Sequence, residues 1–245
     1  MHTFLRKIRK SLIETSNAKK YLLYAIGEIA LVVIGILIAL QINNWNEKKK
    51  MLAKEKNALS EILSDLEVNS NSLNDNLYHD QNNILQAIHS LNVTLLSLES
   101  ASEYNDSLSI HFRNIYNYPY VELKVSGYES LSSMGMDLVA DQHVRSEIGK
   151  YYTYVVPIAG TALRELRDDF YKYMIGHMQE KFVAKSVNNK MTLLEPRNFS
   201  ELKNDIQYRQ SLIMYLDLFE YYKEETLKVL EETKQLQERI EKKYN

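Results

Sequence analysis

The chain has no cysteine, three prolines and seven glycines in 245 residues. Without cysteine there is no disulfide and no thiolate metal site, and the sequence keeps no record of its redox compartment. Strand-rich folds need frequent tight turns, which so little glycine and proline cannot supply. With abundant Leu, Lys, Glu and Gln, that scarcity predicts long helices and an all-α fold. No GxSxG, P-loop, GxGxxG or HExxH pattern occurs, so acyl transfer, nucleotide binding and zinc hydrolysis have no motif to stand on. The formal net charge is -2 and the pI about 6.3, so global electrostatics implies no nucleic-acid partner. Neither an enzyme nor a cofactor is expected. What the chain does have is length for one or two domains, and 18 tyrosines suited to half-buried helical surfaces.

One stretch has a nearly forced meaning. Tyr21 to Ile42 is a run of 22 residues with one formal charge, Glu28, and no proline. As a helix it rises about 33 Å, enough to cross a hydrocarbon core of about 30 Å. The run exceeds a signal-peptide core and LIALQINNW offers no small-x-small cleavage pattern, so an uncleaved signal-anchor is expected. Before it, Arg6, Lys7, Arg9, Lys10, Lys19 and Lys20 face one acid, Glu14, with Phe4, Leu5, Ile8, Leu12 and Ile13 at helical spacing. Residues 1–20 read either as a basic amphipathic helix on anionic headgroups or as a positive tail that sets orientation. After the span come Lys48, Lys49, Lys50, Lys54 and Lys56, so the flanking cations almost balance. The short basic head favours a cytoplasmic N-terminus and a body outside the inner membrane. Tyr21, Tyr24 and Trp45 are the expected interfacial anchors, and Arg6, Lys7, Arg9, Lys10 and Lys48–Lys50 the headgroup contacts.

Glu28 needs a reason. It falls about 5 Å from the middle of the span, where an acid costs up to about 2.5–3.5 kcal/mol. At heptad spacing one stripe collects Ala25, Glu28, Val32, Gly35, Ala39 and Ile42. Gly35 and Ala39 form a small-xxx-small pair that lets backbones approach, so the stripe reads as a helix–helix seam with Glu28 bonded across it. The alternative is a lone helix whose Glu28 is protonated or reaches the near headgroups.

The stretch YAIGEIALVVIGILIALQINNWNE, after a basic head, closely resembles the N-terminal signature of an uncharacterised bacterial membrane-protein family. The likeness is dense over residues 20 to 47 and looser through YESLSSMGMDLV and VRSEIGKYYTYV. It implies one N-terminal span followed by a helical domain, places Glu28 and Gln41–Trp45 in the family pattern, and supplies no catalytic residue.

Beyond the span, Asn43 to Ser100 contains no proline or glycine. Leu52, Leu59, Leu66 and Leu73 repeat every seven residues, and after a four-residue offset Leu77, Ile84, Leu91 and Leu98 continue. This predicts a long juxtamembrane helix over 44–100 with a coiled-coil-like stripe and a stutter. The stripe closes either on another copy or on its own chain. Lys56, Asn69 and Gln81 interrupt it, and polar Asn69–Asn76 is where a hinge would fall. Residues 101–161 are punctuated: a helix in SLSIHFRNIYNY, an extended or strand-like YVELKV, then two short helices with Leu131, Met134, Leu138 and Ile148 inward. A helix is expected over Thr161–Ser186, a loop over Val187–Arg197 with Pro196, and a final helix over 198–244. Its core stripe is read as Leu202, Ile206, Ile213, Leu216, Phe219, Leu227 and Leu230, continued by Leu236 and Ile240. The two long helices pair economically as antiparallel neighbours, which would bring Arg239, Lys242 and Lys243 back towards headgroups.

Candidate chemistry is sparse. His177 and Glu180 at i, i+3 lack a third ligand, and His79–Asp80 point to diverging faces. Asp137, Asp141 and His143 form the best polar cluster, with turn and cap chemistry the simpler account. Tyr116, Tyr118, Tyr120 and Tyr151, Tyr152, Tyr154 line a groove or, more simply, pack a core. The expected molecule is a single-pass, self-associating membrane protein meeting lipid and another envelope protein, acting as a sensing or assembly module. An oligomeric ion or proton pathway built on Glu28 is the alternative.

Overall fold

The computed structural model describes residues 18–79, 83–116, 119–187 and 191–244. The basic head, with Arg6, Lys7, Arg9 and Lys10, lies outside them, as do Asp80, Gln81, Tyr118 and the side chain of Tyr21. The chain divides into two units, Met1–Lys54 and Glu55–Asn245. It is mostly helical, as composition predicts.

Helix α1 (Ala18–Asn74) contributes to both units. In the first unit it is the apolar run, long and apolar enough to cross a membrane, with none of that window buried. No helix breaker falls within it apart from Gly27 and Gly35, and neither has a neighbouring atom within 4 Å of where a Cβ would stand.

The second unit begins with the remainder of α1. A π-helical turn (Asp75–His79) ends it, and α2 (Ile84–Ser100) starts at Asn83, whose side chain accepts from Gln86 N at 2.8 Å. The expected continuous helix over 44–100 is therefore broken just beyond the polar Asn69–Asn76 stretch. Leu59, Leu66, Leu73, Leu77, Ile84, Leu91 and Leu98 are all buried, inside this unit's own core. The heptad stripe thus closes on its own chain, and exposed Leu52 is no part of it.

Helix α3 (Leu108–Ile115) is followed by a stretch without regular structure at 119–125, α4 (Ser126–Met134), a 3-10 turn (Met136–Leu138) and α5. Gly135, with φ 101°, makes the turn between them in a region that favours glycine. Helix α5 runs over residues 142–181 through two π turns, Tyr151–Val155 and Phe170–Met174. Two expected helices are therefore one. Pro157 does not end it: it stands in the first turn after the π turn, where Val156 N bonds Tyr151 O, one residue further back than in an α-helix. Leu131 and Ile148 are buried as expected, whereas Met134 is exposed.

Residues 182–187 and 191–196, read from sequence as a helix end and a loop, pair as two antiparallel strands. Strand β1 (Phe182–Val187) pairs with β2 (Met191–Pro196), from Phe182 opposite Pro196 to Val187 opposite Met191. Pro196 ends its strand, where a missing N–H costs nothing. Phe182 plugs the strand pair into the core, its ring 4.9 Å from Phe112, 5.6 Å from Tyr116 and 5.9 Å from Tyr208.

The final helix is also divided. Asn198 caps α6 (Phe199–Asn204), and Asp205 then caps α7 (Ile206–Tyr244), accepting from Tyr208 N at 2.9 Å while paired with Lys181 at 2.6 Å. The buried stripe of α7 is Tyr208, Leu212, Tyr215, Phe219, Tyr222, Thr226, Val229, Thr233, Leu236 and Ile240. Its alternating steps of four and three form a heptad seam in which tyrosine and threonine hold core positions. Ile206 and Ile213, taken from sequence as core, are exposed. Helices α1 and α7 are antiparallel within this unit: Glu55 bonds Tyr244 and Asn76 bonds Tyr222.

Candidate functional site

In the first unit, the predicted seam residues Glu28, Val32, Gly35, Ala39 and Ile42 are exposed and Ala25 is half-buried. A shallow concavity beside Glu28 is lined by Ala25, Ile29, Val32 and Val33, so bulky Ile29 borders the acid along with the small residues. Tyr24 is half-buried and Trp45 exposed, with the Lys49 ammonium 3.9 Å from the indole centre. Lys50 pairs with Glu47 at 2.9 Å, and Lys48 is exposed.

In the second unit a row of polar side chains, unexpected from sequence, lies buried along α1 and the π turn that ends it. Glu55 and Asp65 are 4% and 5% exposed, and Asn69 and Asn76 are essentially sealed. Each reaches another element. Glu55 accepts from Ala140 N at 2.7 Å and from the Tyr244 hydroxyl at 2.9 Å. Asp65 accepts from Gly127 N at 2.6 Å and from the Ser126 hydroxyl at 3.0 Å. It thereby caps α4 from outside, a helix with no capping side chain of its own, and its charge suits that helix's positive end. Asn69 accepts from Lys124 N at 2.6 Å and donates to Lys124 O at 2.9 Å, as a neighbouring strand would. Asn76 accepts from the Tyr222 hydroxyl at 3.3 Å. Gly127 allows the approach, because a Cβ there would lie 2.8 Å from the Glu61 carbonyl carbon. A signal for three of these four exists in the sequence: positions 55, 62, 69 and 76 share the seam with the leucines, and Glu55, Asn69 and Asn76 among them are polar, whereas Asp65 falls off that register.

The predicted cluster around Asp141 is cap chemistry. Asp141 accepts from His143 N and Val144 N at the start of α5 and pairs with Lys243 at 2.9 Å. Lys243 and these N–H donors hold its carboxyl down to about 2. Asp137 goes instead to Arg145, and His143 is exposed. Glu147–Arg239, Lys150–Glu232 and Tyr151–Thr233 continue the zipper between α5 and α7. His177 meets Ser211 rather than Glu180, and burial lowers its pKa. No group of three His, Asp or Glu side chains is placed to hold a metal ion among the described residues. The predicted tyrosine clusters divide: Tyr116, Tyr151 and Tyr152 are core, Tyr120 and Tyr154 exposed. Burial pushes the Tyr116 and Tyr152 hydroxyls well above the usual phenol range, so they stay neutral.

Fold and site define a helical protein with, among the described residues, one membrane-competent helix and a closed helical body strapped together by buried polar clips. The chain belongs to DUF6090, a family of unknown function, which matches residues 28–184. Glu28 is the first residue matched, and α7 lies beyond the match. No curated protein and no solved structure matches the chain.

Proposed function

We propose that the protein is a single-pass membrane-anchored, non-enzymatic sensing or assembly module of the cell envelope that self-associates through its span. The observation that carries this reading is the apolar helix of the first unit. It is unburied along its whole window, while the second unit completes a core without it. A bare apolar face of that length is stable in lipid or against another helix, and the Glu28, Gly35, Ala39 stripe suits the second role. In the body, the buried polar groups of α1 are spent on backbone and hydroxyl partners, which supports a binding or assembly role over catalysis. The head is read as cytoplasmic, the body as lying outside the inner membrane, with Trp45 and Lys48–Lys50 at the interface.

Association of the isolated span in a membrane reporter assay tests this directly. Gly35→Leu and Glu28→Leu are each expected to weaken it several-fold, and unchanged association in both would remove the seam. Glu28 is also the single acid of the span, which favours a second reading as a pathway for protons or ions in an oligomer. Liposome flux lost in Glu28→Gln would select that reading.

A further inference from the structure

Residues 119–124 belong to no helix or sheet, yet they alternate as a strand does, and Val125, with ψ 5°, turns the chain into α4. Val121, Leu123 and Val125 pack against the core, while Tyr120, Glu122 and Lys124 are exposed. In extended backbone the N–H and C=O of successive residues point to opposite edges. Buried Asn69 takes both groups of Lys124, so one edge is clipped to α1. The groups of Val121 and Leu123 point to the other edge, where they have no hydrogen-bonding partner among the described residues. Asp65 holds the end of the same stretch through Ser126 and Gly127. Two buried polar side chains thus fix the C-terminal end of a stretch that pairs with no strand among the described residues. Among the described residues Glu122 and Lys124 form no ion pair, and Glu122 receives only the exposed Tyr120 hydroxyl, at 3.2 Å.

We infer that this free edge is a docking site for an extended segment of a partner protein, added as an antiparallel strand. Charge complementarity states its chemistry: an acid-x-base pattern, running antiparallel with its middle residue opposite Leu123. That register makes Leu123 a hydrogen-bonded pair and brings Glu122 opposite the incoming base and Lys124 opposite the incoming acid. Both are non-hydrogen-bonded pairs, where side chains approach most closely. Main-chain bonds supply the attachment and the outward row supplies the selection. The inference stands on the second unit alone and is independent of the membrane seam.

The stretch's own sequence has the required pattern, so a synthetic peptide of residues 119–127 is a suitable probe for the full chain in detergent micelles. Binding is expected to slow amide exchange at Val121 and Leu123. Exchanging the peptide's Glu and Lys should weaken binding about tenfold, and Glu122→Lys with Lys124→Glu in the protein should restore it. N-methylation of the peptide's leucine, which removes the central bond without touching the protein, should abolish binding. The absence of native cysteine adds a register test for weak binding. In Glu122→Cys, disulfide exchange with a peptide carrying cysteine at its lysine position should exceed, several-fold, exchange with one shifted by a single residue. Equal exchange, or indifference to charge and N-methylation, would overturn the inference. So would disulfides between copies of the chain mixed as Glu122→Cys and Lys124→Cys, which would make the occupant a second copy.

Discussion

Single atoms decide whether the body of this protein closes. At Gly127 the missing Cβ lets α4 lie against the α1 backbone, where a methyl would stand 2.9 Å from Ile62 N. Gly127→Ala should therefore destabilise the domain by about 1–3 kcal/mol, since backbone rather than a flexible side chain must move. Asp65→Ala leaves Gly127 N–H buried without its acceptor, and a loss of roughly 1–3 kcal/mol is expected from that group alone. Urea unfolding of each variant in detergent measures both. Asp141 makes a prediction about pH. Its folded pKa of about 2 lies below the ordinary 3.8, so its contribution is present above pH 3.8 and is lost as pH falls towards 2. Asp141→Asn should lower stability at neutral pH and flatten the acid limb over that window. Asp205, held down by Lys181, shifts in the same direction and keeps part of the slope in the variant.

At the scale of elements, the seam of α7 carries the most weight. Phe219 is buried at its centre, with its ring 4.9 Å from Tyr215. Phe219→Ala should cost about 3–5 kcal/mol, whereas Ile213→Ala, on the exposed face, should lie within about 0.5 kcal/mol. Thermal melts of the pair would separate the observed stripe from the one that hydrophobicity alone suggests. That contrast also shows how the sequence could be read and where it misled. The leucine heptad of α1 and α2 was legible because its seven-residue repeat, Leu59, Leu66, Leu73 and then Leu77, Ile84, Leu91 and Leu98, is aliphatic throughout. The stripe of α7 was not, because Tyr208, Tyr215, Tyr222, Thr226 and Thr233 hold half of its positions and look like surface. The span and the fold class followed from long, uniform signals. The strand pair did not, since Phe182 belongs equally well to a helix until its neighbours Phe112 and Tyr208 are known. The polar clips were hidden for a different reason: Asn69 reads as an interruption until the Lys124 backbone it binds is seen.

For the molecule as a whole, the division after Lys54 separates two kinds of stability. Every residue of the buried hydrophobic cluster lies at Ala58 or beyond, and the clip at Glu55 already belongs to the second unit. The first unit, in contrast, buries none of its apolar window within the chain, so its free energy comes from what surrounds it. A chain beginning at Glu55 should therefore fold without detergent, keep a helical far-UV spectrum and melt cooperatively. Tyr244→Phe in that shortened chain removes one of two donors to the buried Glu55 carboxylate and should lower the midpoint by a few degrees for each kcal/mol lost. If the shortened chain instead exposes apolar surface and aggregates while the full chain in detergent stays folded, the core depends on residues before Glu55. The clip would then be a joint between units instead of the edge of one.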